Sequence, residues 1–176
     1  MMALNLTGFR YCPRCGRSTL QADGPKAVHC DHCGYRYFHN VAVAVSLLLQ
    51  VDGQLLLTRR ARDPAAGLLD FPGGFVDQEE RLEEALQREV AEELGLAVDP
   101  AALSYRGSGH NRYRFEEVTY LTADVFFSLE LPERPVLRCA DDVAAAEWYP
   151  LDAIPDAELA FPIVADTIRE LRKASC

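Results

Sequence analysis

Two short knuckles near the N-terminus, Cys12-Pro-Arg-Cys15-Gly and Cys30-Asp-His-Cys33-Gly, constrain this chain more than any other feature. The residues around them, about 8–38, are rich in Cys, Gly, Arg and Tyr and poor in aliphatics. Such a piece cannot build its own hydrophobic core and needs a staple. Each Cys-x-x-Cys pair can grip one tetrahedral ion, and the glycine after it permits the tight turn that closes the grip. Four thiolates match the closed Cys₄ pattern of structural zinc, with Cys12, Cys15, Cys30 and Cys33 as ligands. The N-terminus lacks an apolar stretch after a basic start, so a cytoplasmic, reducing setting is expected. There, paired cysteines read as metal ligands rather than disulfides. His29 and His32 are near enough to substitute, but the cysteines already fill the shell. Cys139 and Cys176 read as ordinary free thiols.

At Val41 the composition changes abruptly. Val41 to Leu49 reads as a buried strand, too short to span a bilayer. Asp52-Gly53 is a turn signal, and Gln54 to Thr58 reads as the hairpin partner. A Pro/Gly-rich loop is expected from Asp63 to Gly74, then a helix from Gln78 to Leu94 ended by Gly95. Val125-Phe-Phe-Ser-Leu and Glu147-Trp-Tyr read as further strands, and Phe161 or Pro162 to Lys173 as a C-terminal helix. Strands and helices alternate, but the hairpin argues for a mixed α/β sheet rather than a parallel one. With 176 residues, 49% of them hydrophobic, the chain suits one catalytic domain plus a small module. The expected division is a ribbon at 8–38 and a catalytic domain at 40–173. Net charge is −9, which makes nucleic acid an unfavoured partner, although the ribbon itself is mildly basic.

The helix carries acids where apolar residues are expected. At about 100° per residue, Leu82, Ala85, Leu86 and Val90 share an arc of roughly 140°, the face that packs on a sheet. Glu84, Gln87 and Ala91 lie opposite. Glu89, Glu92 and Glu93 prolong the apolar stripe instead, within about 100° of each other. Three carboxylates packed together would repel and pay desolvation. A hard divalent cation such as Mg²⁺ or Mn²⁺, bound through oxygen, is the natural remedy and implies phosphate chemistry. The bland reading is a solvated acidic helix end.

The wider pattern runs Gly74, five residues, Glu80, seven residues, then Arg88-Glu89-Val90-Ala91-Glu92-Glu93-Leu94-Gly95-Leu96. It resembles the Nudix box at every specified position. The resemblance implies the Nudix fold, a mixed sheet sandwiched by helices behind a small zinc ribbon. It implies that Glu89 is a metal ligand and the general base or water orienter, and that Glu92, Glu93 and the Gly73 carbonyl complete the Mg²⁺ or Mn²⁺ set. Arg88 would orient the glutamates with Glu80 as its ion-pair partner, while Gly74 and Gly95 serve the backbone.

A Cys₄ ribbon ahead of such a domain is similar to the branch that includes NADH diphosphatases. The Ser-Gln-Pro-Trp-Pro-Phe-Pro motif of those enzymes is absent here, where Arg106 to Val118 takes its place. The tail from Ile154 to Pro162 is similar to zinc-ribbon relatives acting on FAD or ADP-ribose. Relatives often carry an acid three residues before the aromatic of the late strand. Here that position is Ala145, before Trp148, which leaves Asp141, Asp142, Glu116 or Glu117 as substitutes.

Arg59 and Arg60 are candidate phosphate clamps, and Phe75 or Phe71 a candidate stacking ring for a base. Tyr113, Phe115 and His110 are expected on a loop over the site, and Trp148 in the core. The expected function is metal-dependent hydrolysis of the diphosphate of a nucleoside diphosphate linked to another moiety, of the ADP-ribose, FAD or NADH type. The substrate would be a nucleotide-like small molecule; the ribbon would scaffold the protein or pair it into a homodimer. The alternative is a nucleic-acid-binding regulator or RNA-decapping protein that reads with the ribbon and senses with the Nudix domain.

Overall fold

The computed structural model describes residues 10–115 and 118–174, which form two compact units. Glu116, Glu117 and Cys176 lie outside the described residues. No helix among those described is long and apolar enough to cross a membrane.

The first unit contains three short antiparallel strands in the order β1 (Leu20–Ala22), β2 (Ala27–Cys30) and β3 (Arg36–Phe38). Its knuckles are two copies of one turn. In the first, the Cys12 amide donates to Arg17 O and the Gly16 amide to Cys12 O, both at 2.8 Å. In the second, Cys30 N–H bonds Tyr35 O and Gly34 N–H bonds Cys30 O, at 2.8 and 2.9 Å. Gly16 and Gly34 sit at φ 71° and 70°, where a Cβ would be strained.

The second unit is a mixed sheet in the order β10-β5-β4-β9-β8 between two helices. The strands are β4 (Ala42–Val51), β5 (Gln54–Arg60), β6 (Leu69–Asp70), β7 (Gly73–Phe75), β8 (Ser104–Phe115), β9 (Val118–Glu130) and β10 (Val143–Pro150). The helices are α1 (Leu82–Leu94) and α2 (Pro162–Ala174). The apolar run in β4 is continuous because both faces are buried. Val45, Leu47 and Leu49 pack toward Ala85, Leu86 and Val90 of α1, whereas Leu48 packs toward Val164 and Ile168 of α2. Leu56 and Phe127 repeat the first choice, Leu55, Leu57 and Phe126 the second.

The hairpin at Asp52-Gly53 forms, but β4 and β5 pair only at Gln50/Leu55 and Val51/Gln54. They then splay. The segment 69–75 fills the gap, pairing through β6 with β5 and through β7 with β4. What reads as a loop from Asp63 to Gly74 therefore holds one short strand and the start of another. On its other side β4 runs parallel to β9.

Two further expectations are corrected. Helix α1 starts at Leu82, not Gln78. Glu79 takes φ 65°, the Glu80 carboxylate accepts the Asp77 amide at 3.1 Å, and the Arg81 amide is capped by Glu84 at 3.0 Å. Residues 77–80 thus form a turn ahead of the helix. His110, Tyr113 and Phe115 lie on strand β8, not on a loop. This strand closes one edge of the sheet, so only alternate residues from Gly107 to Tyr113 are partly covered. Its charges and its irregularity between Tyr105 and Gly107 are ordinary for an edge strand and hide the usual apolar pattern. Trp148 is only partly buried, against the α1-side core, with the Arg134 guanidinium 5.2 Å from its ring centre.

Candidate active site

Where β5 leaves β4, a cavity of about 290 Å³ opens, close to the lower end of ordinary ligand pockets at roughly 300 Å³. Its floor includes Gly73 and Gly74, and both glycines are required by contact. A Cβ on Gly73, at φ 139°, would lie 2.1 Å from Val45 O. A Cβ on Gly74 would lie 2.4–2.6 Å from the Glu89 carboxylate. The glycine pair therefore lets helix α1 lay its acids directly on the floor strand.

Glu93 is 6% exposed and accepts the Gly73 amide at 2.9 Å. Burial pushes its carboxyl up to about 9, against the pull of that amide, and Asp142, Glu89 and Asp70 add repulsion. Glu89, also on the cavity wall, is raised mainly by burial, and Arg88 at 2.8 Å opposes the shift. Arg88 grips Glu80 with two bonds, Nε to Oε1 and Nη2 to Oε2, each 2.9 Å. Its Nη1 reaches Glu89, and Glu92 at 3.2 Å. These bonds hold Glu80 below the usual carboxylate range, with Arg88 the main cause. Glu92 has a half-exposed side chain and does not line the cavity. Gly95 takes the left-handed conformation, φ 63°, and its amide returns to Ala91 O at 3.0 Å.

The missing acid near Ala145 has neighbours nearby. Asp141 and Asp142 both line the cavity, and Asp142 raises Glu89 and Glu93 by charge. Ala145 itself sits opposite Arg59 in the sheet. Of the two candidate clamps, only Arg60 lines the cavity, its guanidinium bonded to Asp70 at 3.1 Å and 5.2 Å from the Phe161 ring centre. Arg59 is held by Glu147 at 2.8 Å, Glu158 at 3.0 Å and Gly67 O at 2.7 Å, outside the cavity. Phe75, Tyr113 and Phe161 form a ring series along the wall, 5.4 and 5.9 Å between successive centroids. Phe71 is buried beneath it, edge-on to Phe126.

Sequence reasoning missed Asp70 and Asp124. Asp124 interrupts the apolar run of β9, and that interruption was the available signal; Asp70 ends the two-residue strand β6 and breaks no pattern. Asp70 is pushed up to about 6 by burial, despite Arg60 beside it. Asp124 is also raised, by burial first, with Thr122 and His110 opposing.

A buried carboxyl with its pKa near 9 facing three further acids lacks positive charge, since Arg88 is already shared among three glutamates. That is a donor set suited to a hard divalent ion. The cysteine site passes a stricter test. Sulfurs about 2.3 Å from a tetrahedral zinc stand about 3.8 Å apart. Here Cys12–Cys33 and Cys15–Cys30 are each 3.7 Å, and all four sulfurs lie within 4.8 Å of one another. The Thr19 hydroxyl, 3.1 Å from Cys30 Sγ, leads the influences that lower that thiol to about 6. His29 instead bonds Asp31 at 2.8 Å and His32 bonds Arg17 at 3.1 Å.

A family model described as NUDIX domain matches residues 38–171. Among curated proteins, the NAD-capped RNA hydrolase NudC of Pseudomonas syringae pv. syringae (strain B728a) is 29% identical over 146 residues, covering 83% of this chain and 49% of the relative. NudC of Haemophilus influenzae (strain PittGG) is 34% identical over 105 residues, 58% of this chain and 39% of the relative. The chain thus spans half or less of the length of these relatives. A NUDIX hydrolase from Nitrosomonas europaea superposes with a TM-score of 0.67 at 21% identity, over 89% of this chain and 86% of the other. The NUDIX domain of Shewanella oneidensis NrtR, solved with ADP ribose, gives 0.65 at 23%, over 79% and 91%. At such identities the likeness speaks to the fold alone.

Proposed function

Because the chain belongs to the NUDIX domain family, we propose that it hydrolyses the diphosphate of a nucleoside diphosphate linked to a second moiety, using Mg²⁺ or Mn²⁺. The observation that carries this reading is the packing of Glu89 and Glu93 onto Gly73-Gly74 at the floor of one cavity. Glu89, Glu93 and the Gly73 carbonyl would hold the metal, and Glu92, outside the cavity and bonded to Arg88, would have to turn inward to complete the set. Bound there, a divalent ion supplies neutralisation of phosphate oxygens and a more acidic water. Glu89 takes the proton of the attacking water, and its contact with Arg88 aims the carboxylate. Arg88 is itself fixed by Glu80, so its charge is positioned before substrate arrives. Arg60 and the ring series would bind the nucleotide. The ribbon, about residues 8–38, is read as a structural zinc module beside a catalytic domain at 40–173, and a cytoplasmic homodimer is compatible with that reading.

ADP-ribose, FAD and NADH form the test panel, joined by NAD-capped RNA because the relatives' names carry it. Each is incubated with Mg²⁺ or Mn²⁺ and the protein, wild type or Glu89→Gln. Turnover of at least one diphosphate is expected, with the variant slower by about 10²–10⁴. Equal rates for the two proteins would remove Glu89 from the chemistry.

A further inference from the structure

Asp124 and Thr122 project from β9 into the same cavity, 7% and 3% exposed. They are two residues apart on one strand, so they share a face. Asp124 Oδ2 and Thr122 Oγ1 are both buried and have no hydrogen-bond partner outside the pair; the Thr122 hydroxyl lies close enough to pull the Asp124 carboxyl down. Leaving two such atoms bare costs stability, because a buried polar group without a partner forfeits its hydration. The cation on this wall cannot serve them. Arg60 is occupied by Asp70, by Pro64 O at 2.7 Å and by the face of Phe161. Two unmet polar atoms beside a series of aromatic rings describe a recess shaped for a flat, polar-edged ligand.

We propose that Asp124 and Thr122 read the edge of an adenine base, Asp124 accepting from the exocyclic amino group and Thr122 donating to the adjacent ring nitrogen. The inference rests on the reading of this cavity as a nucleotide site. A lone acceptor beside a hydroxyl matches an edge that places a donor next to an acceptor. Hypoxanthine offers a carbonyl in place of the amino group and would set oxygen against carboxylate. The mismatch strands a buried charge, which is the kind of difference that discriminates strongly between isosteres.

Binding of adenosine and inosine 5′-monophosphates is measured by calorimetry at about pH 8, with turnover of the matching ribose diphosphates assayed beside it. Wild type is expected to bind the adenine nucleotide at least about tenfold more tightly. Asp124→Asn, whose amide can donate to the carbonyl, should erase or invert that preference. Its loss on the adenine substrate should appear mainly as a raised KM, since Asp124 is read as touching the base and not the reacting phosphorus. Thr122→Val should weaken the adenine nucleotide alone. Asp124→Asn should melt at or above the wild-type temperature, because it relieves a carboxylate penalised mainly by burial. Equal binding of the two nucleotides to wild type, or an unchanged preference in Asp124→Asn, overturns the inference. Selective binding through Asp124 without any turnover would leave the recess assigned and refute the hydrolase reading instead.

Discussion

At the scale of single residues, the two glycines of the cavity floor make opposite predictions. Gly73→Ala drives a Cβ into the Val45 carbonyl, which is backbone and cannot yield, at a φ that alanine rarely adopts. It should cost about 1–3 kcal/mol of stability, read by denaturant unfolding. Gly74→Ala meets only the end of the Glu89 side chain. It should keep its stability within about 1 kcal/mol and lose turnover by about 10²-fold, since Glu89 must swing away from its place. Glu93 predicts a pH dependence. Its folded-state pKa is raised from 4.5 to about 9. The metal-free protein should therefore be favoured on the acid side, and lose that stability as pH rises from about 5 through about 9, at up to ~1.4 kcal/mol per pH unit. Glu93→Gln should flatten this slope. Binding of Mn²⁺ at about pH 7 should release close to one proton, seen as a dependence of the binding heat on the buffer.

Among the elements, α1 is where sequence and structure agree most closely, and its one ion-pair lattice is testable. Arg88→Lys keeps the charge but loses the two-pronged grip on Glu80 and the simultaneous reach to Glu89. Activity should fall by about 10-fold or more, with a small change in melting temperature. A Glu80→Gln variant should show a similar loss, and the double variant little more, because the two act as one unit. Glu89 and Glu93 were legible because a helix has a fixed angular period, so a charge on the packed face stands out; Glu92, expected on the same stripe, is exposed instead. Strand β8 was not legible. An edge strand is covered on one side at most, and the residues between Arg106, His110 and Arg112 are glycines and polar residues, with large rings only at Tyr105, Tyr113 and Phe115. Segment 69–75 was hidden for another reason. Two strands of two and three residues carry no periodicity to detect, and their partners lie on different strands. Asp124 does interrupt an apolar strand, but how few partners surround it is a matter of three-dimensional packing.

For the whole molecule, the two units answer to different forces. The larger one buries Leu, Val and Phe on both faces of a sheet, while the smaller has few aliphatics to bury and gathers four sulfurs instead. Elemental analysis should find about one zinc per chain. Chelation should unfold the first unit and leave the main melting transition of the second within a few degrees, monitored by calorimetry against the Trp148 fluorescence of the larger unit. A single joint collapse on chelation would show that the units share their stability. The splayed hairpin between β4 and β5 carries a consequence at this scale. The floor of the cavity is stitched by backbone bonds to strands on both sides, so it cannot be remodelled without dismantling the sheet. The opposite wall belongs to β8 and β9, where side chains change and the ladder of backbone bonds stays as it is. Inheritance can thus hold the bond-breaking half constant and revise the wall one residue at a time. A lineage built on this plan would change its diet without relearning its chemistry.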